Sequence, residues 1–184
     1  MEKKIKARIM DAHKIRRVLN RMATEIIERN RNLKGLVIVG IKTRGIFLGK
    51  RLARLVKELE GVDIPVGVLD ITRYRDDLPA RVMKQAAKKA KVDLATDKKD
   101  VLLIDDVLMT GRTIRAAMDA LMDGGRPKTV QLAVLIDRGH RELPIRPDYV
   151  GKILPTSRRE IIQVRLKELD TIDEVLIAEP TKIR

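Results

Sequence analysis

Two adjacent carboxylates, Asp105 and Asp106, stand between an apolar run at 101–104 and a turn containing threonine and glycine at 110–113. The turn opens a stretch with helical spacing. Its backbone N–H groups and two hydroxyls would therefore form a cradle for an anion, and Gly111 would let that anion approach the backbone closely. Paired carboxylates would repel a phosphate, but they would bind sugar hydroxyls or a bridging Mg²⁺. The pattern predicts a ligand with a phosphate at one end and a polyol in its middle. The plainer alternative is an acidic strand end followed by an N-capped helix.

The elements that must position this motif alternate along the chain. Short apolar runs predict strands at 36–40, 65–71, 101–104 and 129–136. Helical spacing predicts helices from the N-cap Asp11 to before Asn32, at about 46–59 and at 113–122. Three further short strands are predicted at 149–153, 160–166 and 174–178. Strands that alternate with helices indicate a parallel sheet covered on both faces, in which ligands bind at the carboxyl ends of the strands.

Composition excludes several classes of protein. The chain of 184 residues has no Cys, so it has no disulfide, no thiolate zinc site and no Cys nucleophile. Its aromatic side chains are Phe47, Tyr74 and Tyr149, too few for a protein that stacks many bases on aromatic rings. No apolar run is long enough for a signal peptide or a membrane span. We therefore expect a cytoplasmic protein that does not contact a membrane.

Positive charge is concentrated at the start of the chain. The net charge is +14, and residues 1–60 hold 17 basic and 6 acidic side chains, a net of +11. A charge-rich, heat-adapted surface is one explanation, and a local site for a polyanion is the other. On the first predicted helix, Lys14, Arg17 and Arg21 follow one another at spacings of three and four residues. They form either a solvated helix face or a set of phosphate contacts to RNA.

The stretch at 101–113, VLLIDDVLMTGRT, resembles the 5-phosphoribosyl 1-diphosphate binding motif of type I phosphoribosyltransferases. Four more blocks resemble the pyrimidine operon attenuator/uracil phosphoribosyltransferase family: GIKTRG at 40–45, DITRYRDDL at 70–78, DRGHRELPIRPDYVGK at 137–152 and PTSRRE at 155–160. These blocks cover most of the chain in the family's order. The resemblance implies an α/β protein with the type I phosphoribosyltransferase fold, in which helices flank a central, mostly parallel sheet below a small C-terminal hood.

The resemblance also implies how the chain is divided. A single phosphoribosyltransferase domain would span 1–184, with a core at about 10–140 and the hood at about 141–184. Residues 72–98 begin charged and become rich in Lys and Ala, which predicts a mobile excursion with a short helix near 80–90. The resemblance implies that this flexible loop closes over the reacting centre. A homodimer or homotetramer is expected from the family.

Roles for single residues follow from the same resemblance. Asp105 and Asp106 would hold the ribose hydroxyls and, with Arg44, form the catalytic set. Mg²⁺ would bind through the substrate, with the two aspartates as candidate ligands. The residues expected to bind substrate are Thr43, Arg44 and Gly45 in a pyrophosphate loop, Arg73 and Arg75 on the closing loop, Arg138 and Ile162 near the base, and Asp105, Asp106, Val107, Leu108, Met109, Thr110, Gly111, Arg112 and Thr113 around the ribose 5-phosphate.

The resemblance extends to RNA. His140, Arg141 and Arg146 lie in a segment bounded by prolines, which taken alone is typical of a surface turn. In the family this segment, together with Lys152, belongs to an RNA-binding face, to which Lys14, Arg17 and Arg21 would contribute. The implied partner is the leader messenger RNA of pyrimidine genes, and uridine nucleotide is expected to strengthen its binding.

The implied activity is the conversion of uracil and 5-phosphoribosyl 1-diphosphate into UMP and pyrophosphate with Mg²⁺. The same protein would regulate pyrimidine biosynthesis genes as a nucleotide-responsive RNA binder. Two alternatives stay open: an RNA-binding nucleotide sensor with little transferase activity, and a type I phosphoribosyltransferase for another base.

Overall fold

A computed structural model describes residues 3–72, 74 and 93–180. The helices of this part are α1 (Ala12–Arg29), α2 (Arg44–Glu60), α3 (Arg112–Asp123) and α4 (Lys167–Asp170), with a single 3₁₀ turn at Leu33–Gly35. The strands are β1 (Lys3–Met10), β2 (Leu36–Ile41), β3 (Val66–Leu69), β4 (Asp100–Leu108), β5 (Thr129–Asp137), β6 (Tyr149–Ile153), β7 (Ile161–Arg165) and β8 (Glu174–Pro180). Most of the predicted loop at 72–98, including Arg73 and Arg75, lies outside the described residues.

The central sheet has the strand order β3-β2-β4-β5-β6, and every neighbouring pair is parallel. Its strands are apolar on both faces because helices cover both. Ile38 and Leu102 point towards α1 and α2, whereas Val39 and Leu103 point towards α3. Burial of each such side chain contributes about 1.5–3 kcal/mol. The predicted parallel sheet flanked by helices is therefore confirmed.

The hood is an antiparallel sheet with the order β1-β8-β7. The structure differs here from the predicted boundaries, because the N-terminal strand β1 belongs to the hood while β6 belongs to the central sheet. Residues 4–8 of β1 are exposed, and charged and apolar side chains are mixed along it, so no apolar run marks the strand in the sequence. What makes it a strand is pairing with β8, at the far end of the chain.

Strand β4 runs further than predicted. The apolar run ends at Ile104, but β4 continues through the acid pair to Leu108. Pairing with β2 stops at Gly40 opposite Ile104, whereas pairing with β5 persists to Leu108 opposite Asp137. The prediction that the acids follow the strand was wrong, since hydrogen bonds from β5 hold this backbone extended. Asp105 and Asp106 nevertheless lie beyond the carboxyl end of β2. At these two residues β4 pairs with β5 on one side and no longer with β2 on the other.

Across residues 3–72, 74 and 93–180, no helix combines the length and the apolar character needed to cross a membrane.

Candidate active site

The acid pair is fixed by its own backbone. Asp105 is buried, with a carboxylate oxygen that accepts from the Asp106 N–H at 2.9 Å. The Asp106 carboxylate accepts from the Val107 N–H at 3.0 Å. Burial raises the pKa of Asp106, and a hydrogen bond with Asp105 and the nearby charge of Arg44 oppose this rise in part. The site thus holds two carboxylates with restricted orientation, next to one guanidinium.

The predicted anion cradle lies at the start of α3. Gly111 has a φ of +92°, a left-handed conformation that favours glycine, and it occupies the N-cap position without a side-chain cap. The Arg112 N–H donates to the Thr110 hydroxyl at 3.3 Å, and the N–H groups of Thr113 and Ile114 are those that an anion could use. The cradle is also held from outside, because the Thr110 carbonyl accepts from the N–H groups of Glu142 and Leu143 at 3.0 and 3.1 Å. The remaining predicted positions, Val107, Leu108, Met109, Arg112 and Thr113, lie along β4 and the start of α3.

The predicted pyrophosphate loop lies at the start of α2. Thr43 occupies the N-cap position and makes no side-chain cap, Arg44 begins the helix, and Gly45 is buried against β4. A Cβ on Gly45 would overlap the carbonyl oxygen of Ile104, so only glycine permits this approach. Because β2 and β4 are adjacent and parallel, the starts of α2 and α3 lie at the same edge of the sheet, on either side of the acid pair.

The hood reaches this edge through the turn that contains α4. Arg51 of α2 donates to Glu168 at 2.6 and 2.9 Å and to Asp173 at 2.7 and 3.0 Å. Arg44, two helical turns earlier on α2, donates to both oxygens of Asp170 at 3.1 Å. Sequence reasoning missed these contacts. The seven-residue spacing of Arg44 and Arg51 was the available signal, since it places both on one face of α2.

Replacing Arg51 with methionine should loosen the hood. We expect the free energy of unfolding in urea to fall by about 2 kcal/mol at pH 7, because two carboxylates would lose their charged partner. Hydrogen bonds from Arg51 lower the pKa of Glu168. Burial raises the pKa of Asp173, but the hydrogen bonds from Arg51 and the Lys167 N–H, together with the charge of Arg51, lower it overall. A lowered pKa contributes stability above the ordinary values of 4.5 and 3.8, and this is lost as the pH falls through the lowered values. The difference from wild type should therefore shrink below about pH 4.

The matched control for that variant is Arg54→Met. Arg54 lies on the same helix, but its pair with Glu58 is exposed and 3.5 Å long. We expect a change of less than about 0.5 kcal/mol. An Arg51 variant as stable as the Arg54 variant at pH 7 would contradict the role of Arg51 as an anchor for the hood.

The two residues predicted near the base both lie at the boundary between the hood and the sheet. The Arg138 guanidinium is buried and donates to the Thr156 hydroxyl at 3.0 Å and the Ser157 carbonyl at 2.9 Å. Burial lowers the pKa of Arg138. The Ile162 side chain packs into the core, and its strand β7 is an edge strand of the hood that also contacts β4. A row of β7 backbone groups is thus left unpaired within the hood sheet.

The predicted RNA residues from distant parts of the chain are brought together. Arg21 of α1 donates to the carbonyls of Val150 and Gly151 at 2.9 and 2.7 Å, which places α1 beside Lys152 of β6. His140, Arg141 and Arg146 line a neighbouring cavity of about 620 Å³. We call the residues Lys14, Arg17, Arg21, His140, Arg141, Arg146 and Lys152 the cationic surface.

Members of the cationic surface differ in how they are engaged. Arg141 donates to the carbonyls of Ile145 and Met109 at 2.9 Å and to the carboxylate of Asp137 at 2.6 Å. His140 Nε2 lies 2.6 Å from the Thr156 carbonyl, to which it donates. Four members of the cationic surface make no side-chain hydrogen bond or ion pair with other described residues: Lys14, Arg17, Arg146 and Lys152. Those four are exposed and available to an anionic partner.

The acid pair at the carboxyl ends of parallel strands, with a helix start on each side, is the arrangement predicted for a phosphoribosyltransferase site. The sequence model of the phosphoribosyl transferase domain matches residues 7–169. Curated relatives named "Bifunctional protein PyrR" occur in Thermoanaerobacter sp. (strain X514), 56% identical over 176 residues with 96% of this chain and 99% of the relative covered, and in Deinococcus radiodurans, 52% identical over 179 residues with 97% and 98% covered. The chain belongs to the phosphoribosyltransferase family and, within it, to the bifunctional PyrR proteins.

Solved structures share the fold at much lower identity. A hypoxanthine phosphoribosyltransferase from Staphylococcus aureus superposes with a TM-score of 0.72 at 20% identity, over 96% of this chain and 94% of that one. The hypoxanthine phosphoribosyltransferase of Trypanosoma cruzi superposes with a TM-score of 0.75 at 16% identity, over 96% and 93% of the two chains. These likenesses establish the architecture.

Proposed function

We propose that the protein converts uracil and 5-phosphoribosyl 1-diphosphate into UMP and pyrophosphate in the cytoplasm. We further propose that it binds the leader RNA of pyrimidine genes more tightly when uridine nucleotide is bound. A homodimer or homotetramer is part of the proposal and is checked by light scattering. The transferase activity is supported by the family membership together with the arrangement of the site.

The acid pair between two helix starts without side-chain caps carries the transferase proposal. The substrate has a 5-phosphate, a ribose with two hydroxyls, and a pyrophosphate. The start of α3 suits the 5-phosphate, Asp105 and Asp106 suit the hydroxyls, and the start of α2 with Arg44 suits the pyrophosphate. The order of 5-phosphate, ribose and pyrophosphate in the substrate therefore matches the order of α3, the acid pair and α2 in the site.

The proposed reaction is a displacement at C1 of the ribose. The bond from C1 to the pyrophosphate oxygen breaks and its electron pair leaves with pyrophosphate, while uracil N1 bonds to C1 and its proton passes to solvent water. The ribose carries positive charge in the transition state, and the acid pair stabilises that charge. Arg44 and the N–H groups of α2 stabilise the charge that develops on pyrophosphate. Binding all parts in line supplies the rest of the rate enhancement.

Mg²⁺ would enter the site together with the substrate. Among the described residues, no three His, Cys, Asp or Glu side chains are grouped so that they could hold a metal ion. Asp105 and Asp106 are the residues that would hold the ion, with the substrate supplying its other ligands. When bound, the ion supplies positive charge against the leaving pyrophosphate.

The transferase proposal is tested by incubating the protein with 5-phosphoribosyl 1-diphosphate, Mg²⁺ and one base at a time. We expect pyrophosphate release with uracil and little with orotate, hypoxanthine or adenine. Release with a purine but not with uracil would identify a transferase for another base. No release with any base, together with RNA binding that responds to UMP, would favour the nucleotide sensor.

The RNA proposal depends mainly on the four available cations of the cationic surface. Replacing Arg17 with alanine should weaken leader binding and reduce the slope of log affinity against log salt by about 0.7–0.9, because one phosphate contact is lost. The matched control is Arg54→Ala, an exposed arginine on α2, which should leave the slope unchanged. UMP should tighten binding to the wild-type protein. A salt slope that is insensitive to both Arg17 and UMP would indicate nonspecific attraction.

A further inference from the structure

Arg44 and Arg51 both donate hydrogen bonds to the hood turn that contains α4, but they differ in how many of their donors are bonded. Each guanidinium has five N–H donors. Arg51 uses its Nε and both terminal nitrogens on two carboxylates. Arg44 uses one terminal nitrogen on Asp170, and its Nε is buried without a hydrogen-bond partner. The Arg44 side chain is 31% exposed and its second terminal nitrogen makes no hydrogen bond with another described residue, so Arg44 can donate to a second anion from solvent.

Asp170 keeps its place without Arg44. Its backbone N–H donates to the Leu166 carbonyl at 2.7 Å, and its carboxylate accepts from the Leu166 N–H at 2.9 Å. The flanking residues Glu168 and Asp173 are held by Arg51. The carboxylate is thus a fixed negative charge 3.1 Å from the guanidinium on which a pyrophosphate would bind.

We propose that Asp170 is a positioning residue that holds Arg44 at the pyrophosphate site and competes with pyrophosphate for it. The inference rests on the proposed function, because it takes the start of α2 as the pyrophosphate site. When the site is empty, the guanidinium is neutralised by the hood. When pyrophosphate binds, Arg44 must divide its donors between the two anions, and the nearby carboxylate repels the ligand. Asp170 therefore weakens pyrophosphate binding and favours its release.

The test is Asp170→Asn, with pyrophosphate binding measured by titration calorimetry with and without Mg²⁺. Asparagine keeps one oxygen as an acceptor for the Leu166 N–H, removes the charge, and replaces the other oxygen that accepts from Arg44 by an amide NH2 group. We expect pyrophosphate to bind about five-fold tighter, because a partly exposed like charge is removed from its neighbourhood. In steady-state assays, pyrophosphate should also become a stronger product inhibitor by a similar factor.

Two further variants separate this role from a general effect of charge. Glu168→Gln removes a carboxylate two residues away that is paired with Arg51 and not with Arg44, and it should change pyrophosphate affinity less than two-fold. In an Arg44→Met background, the effect of Asp170→Asn should disappear. Unchanged or weaker binding by Asp170→Asn, or an equal gain from Glu168→Gln, would overturn the inference. Failure of the wild-type protein to bind pyrophosphate at all would instead contradict the proposed function.

Discussion

Replacing Asp106 with asparagine should lower kcat/KM for 5-phosphoribosyl 1-diphosphate by about 10²–10³-fold while the fold is retained. Loss of charge-assisted hydrogen bonds to the ribose and of negative charge facing its cationic transition state together account for about 3–4 kcal/mol. Asparagine has nearly the same shape and still accepts from the Val107 N–H. The measurement is pyrophosphate release at varied substrate concentration. Near-normal turnover would refute the assigned role.

The same substitution should stabilise the protein at neutral pH. Burial raises the pKa of Asp106 above its ordinary value of 3.8, so the ionised form costs stability. That cost is absent below the ordinary pKa and appears as the pH rises through the raised value. Asp106→Asn should therefore have a Tm above wild type at pH 7 and an advantage that shrinks towards pH 3. The control Asp119→Asn, at an exposed position on α3, should change neither activity nor this pH dependence.

Replacing Gly45 with alanine should lower the free energy of unfolding by about 3 kcal/mol, because its Cβ would overlap a backbone oxygen that no side-chain rotation can relieve. For a chain of this size the Tm would fall by roughly 6–12 °C. The start of α2 must also move away from Ile104, so Arg44 and the helix N–H groups leave their places. We expect pyrophosphate affinity to fall with stability, measured by calorimetry on the folded variant.

Gly124→Ala is the matched control for that variant. Gly124 follows α3 with an ordinary φ of −85°, and its Cβ would only touch the Leu121 carbonyl oxygen at 3.4 Å. Alanine there should leave pyrophosphate binding unchanged and stability equal or up to about 0.5 kcal/mol higher. A Gly45 variant as stable as the Gly124 variant would show that α2 tolerates displacement from β4.

The parts of the fold that sequence could predict are those specified by local patterns. The strands of the central sheet are buried on both faces, so their runs of apolar residues mark them clearly. Strand β1 could not be found this way, because its side chains are mostly exposed and its pairing with β8 is tertiary. The extension of β4 through Asp105 and Asp106 was missed for a related reason, since charge suggested a strand end where β5 continues the pairing.

In the candidate site, too, features set by local sequence could be predicted, whereas features that depend on tertiary contacts could not. The helix start at 110–113, where the anion cradle is predicted, could be located because glycine, hydroxyls and helical spacing lie within a few residues. The contact of Arg44 with Asp170 joins residues 126 positions apart, and no local spacing indicates it. Arg141 was predicted as an RNA contact, a role that stays a prediction. The hydrogen bonds that Arg141 donates to Asp137 and Met109 became evident only from the structure.

Segment 139–145 is hydrogen-bonded to the predicted anion cradle, and this affects how variants of Arg141 will be interpreted. Arg141 and the N–H groups of Glu142 and Leu143 hold the carbonyls of Met109 and Thr110. An Arg141 variant that loses RNA binding would therefore not by itself demonstrate a lost phosphate contact, because the predicted anion cradle would be altered as well. Under the proposed function this segment serves both ligands, so their affinities would be interdependent. By thermodynamic linkage, the factor by which UMP tightens RNA binding would then equal the factor by which RNA tightens UMP binding.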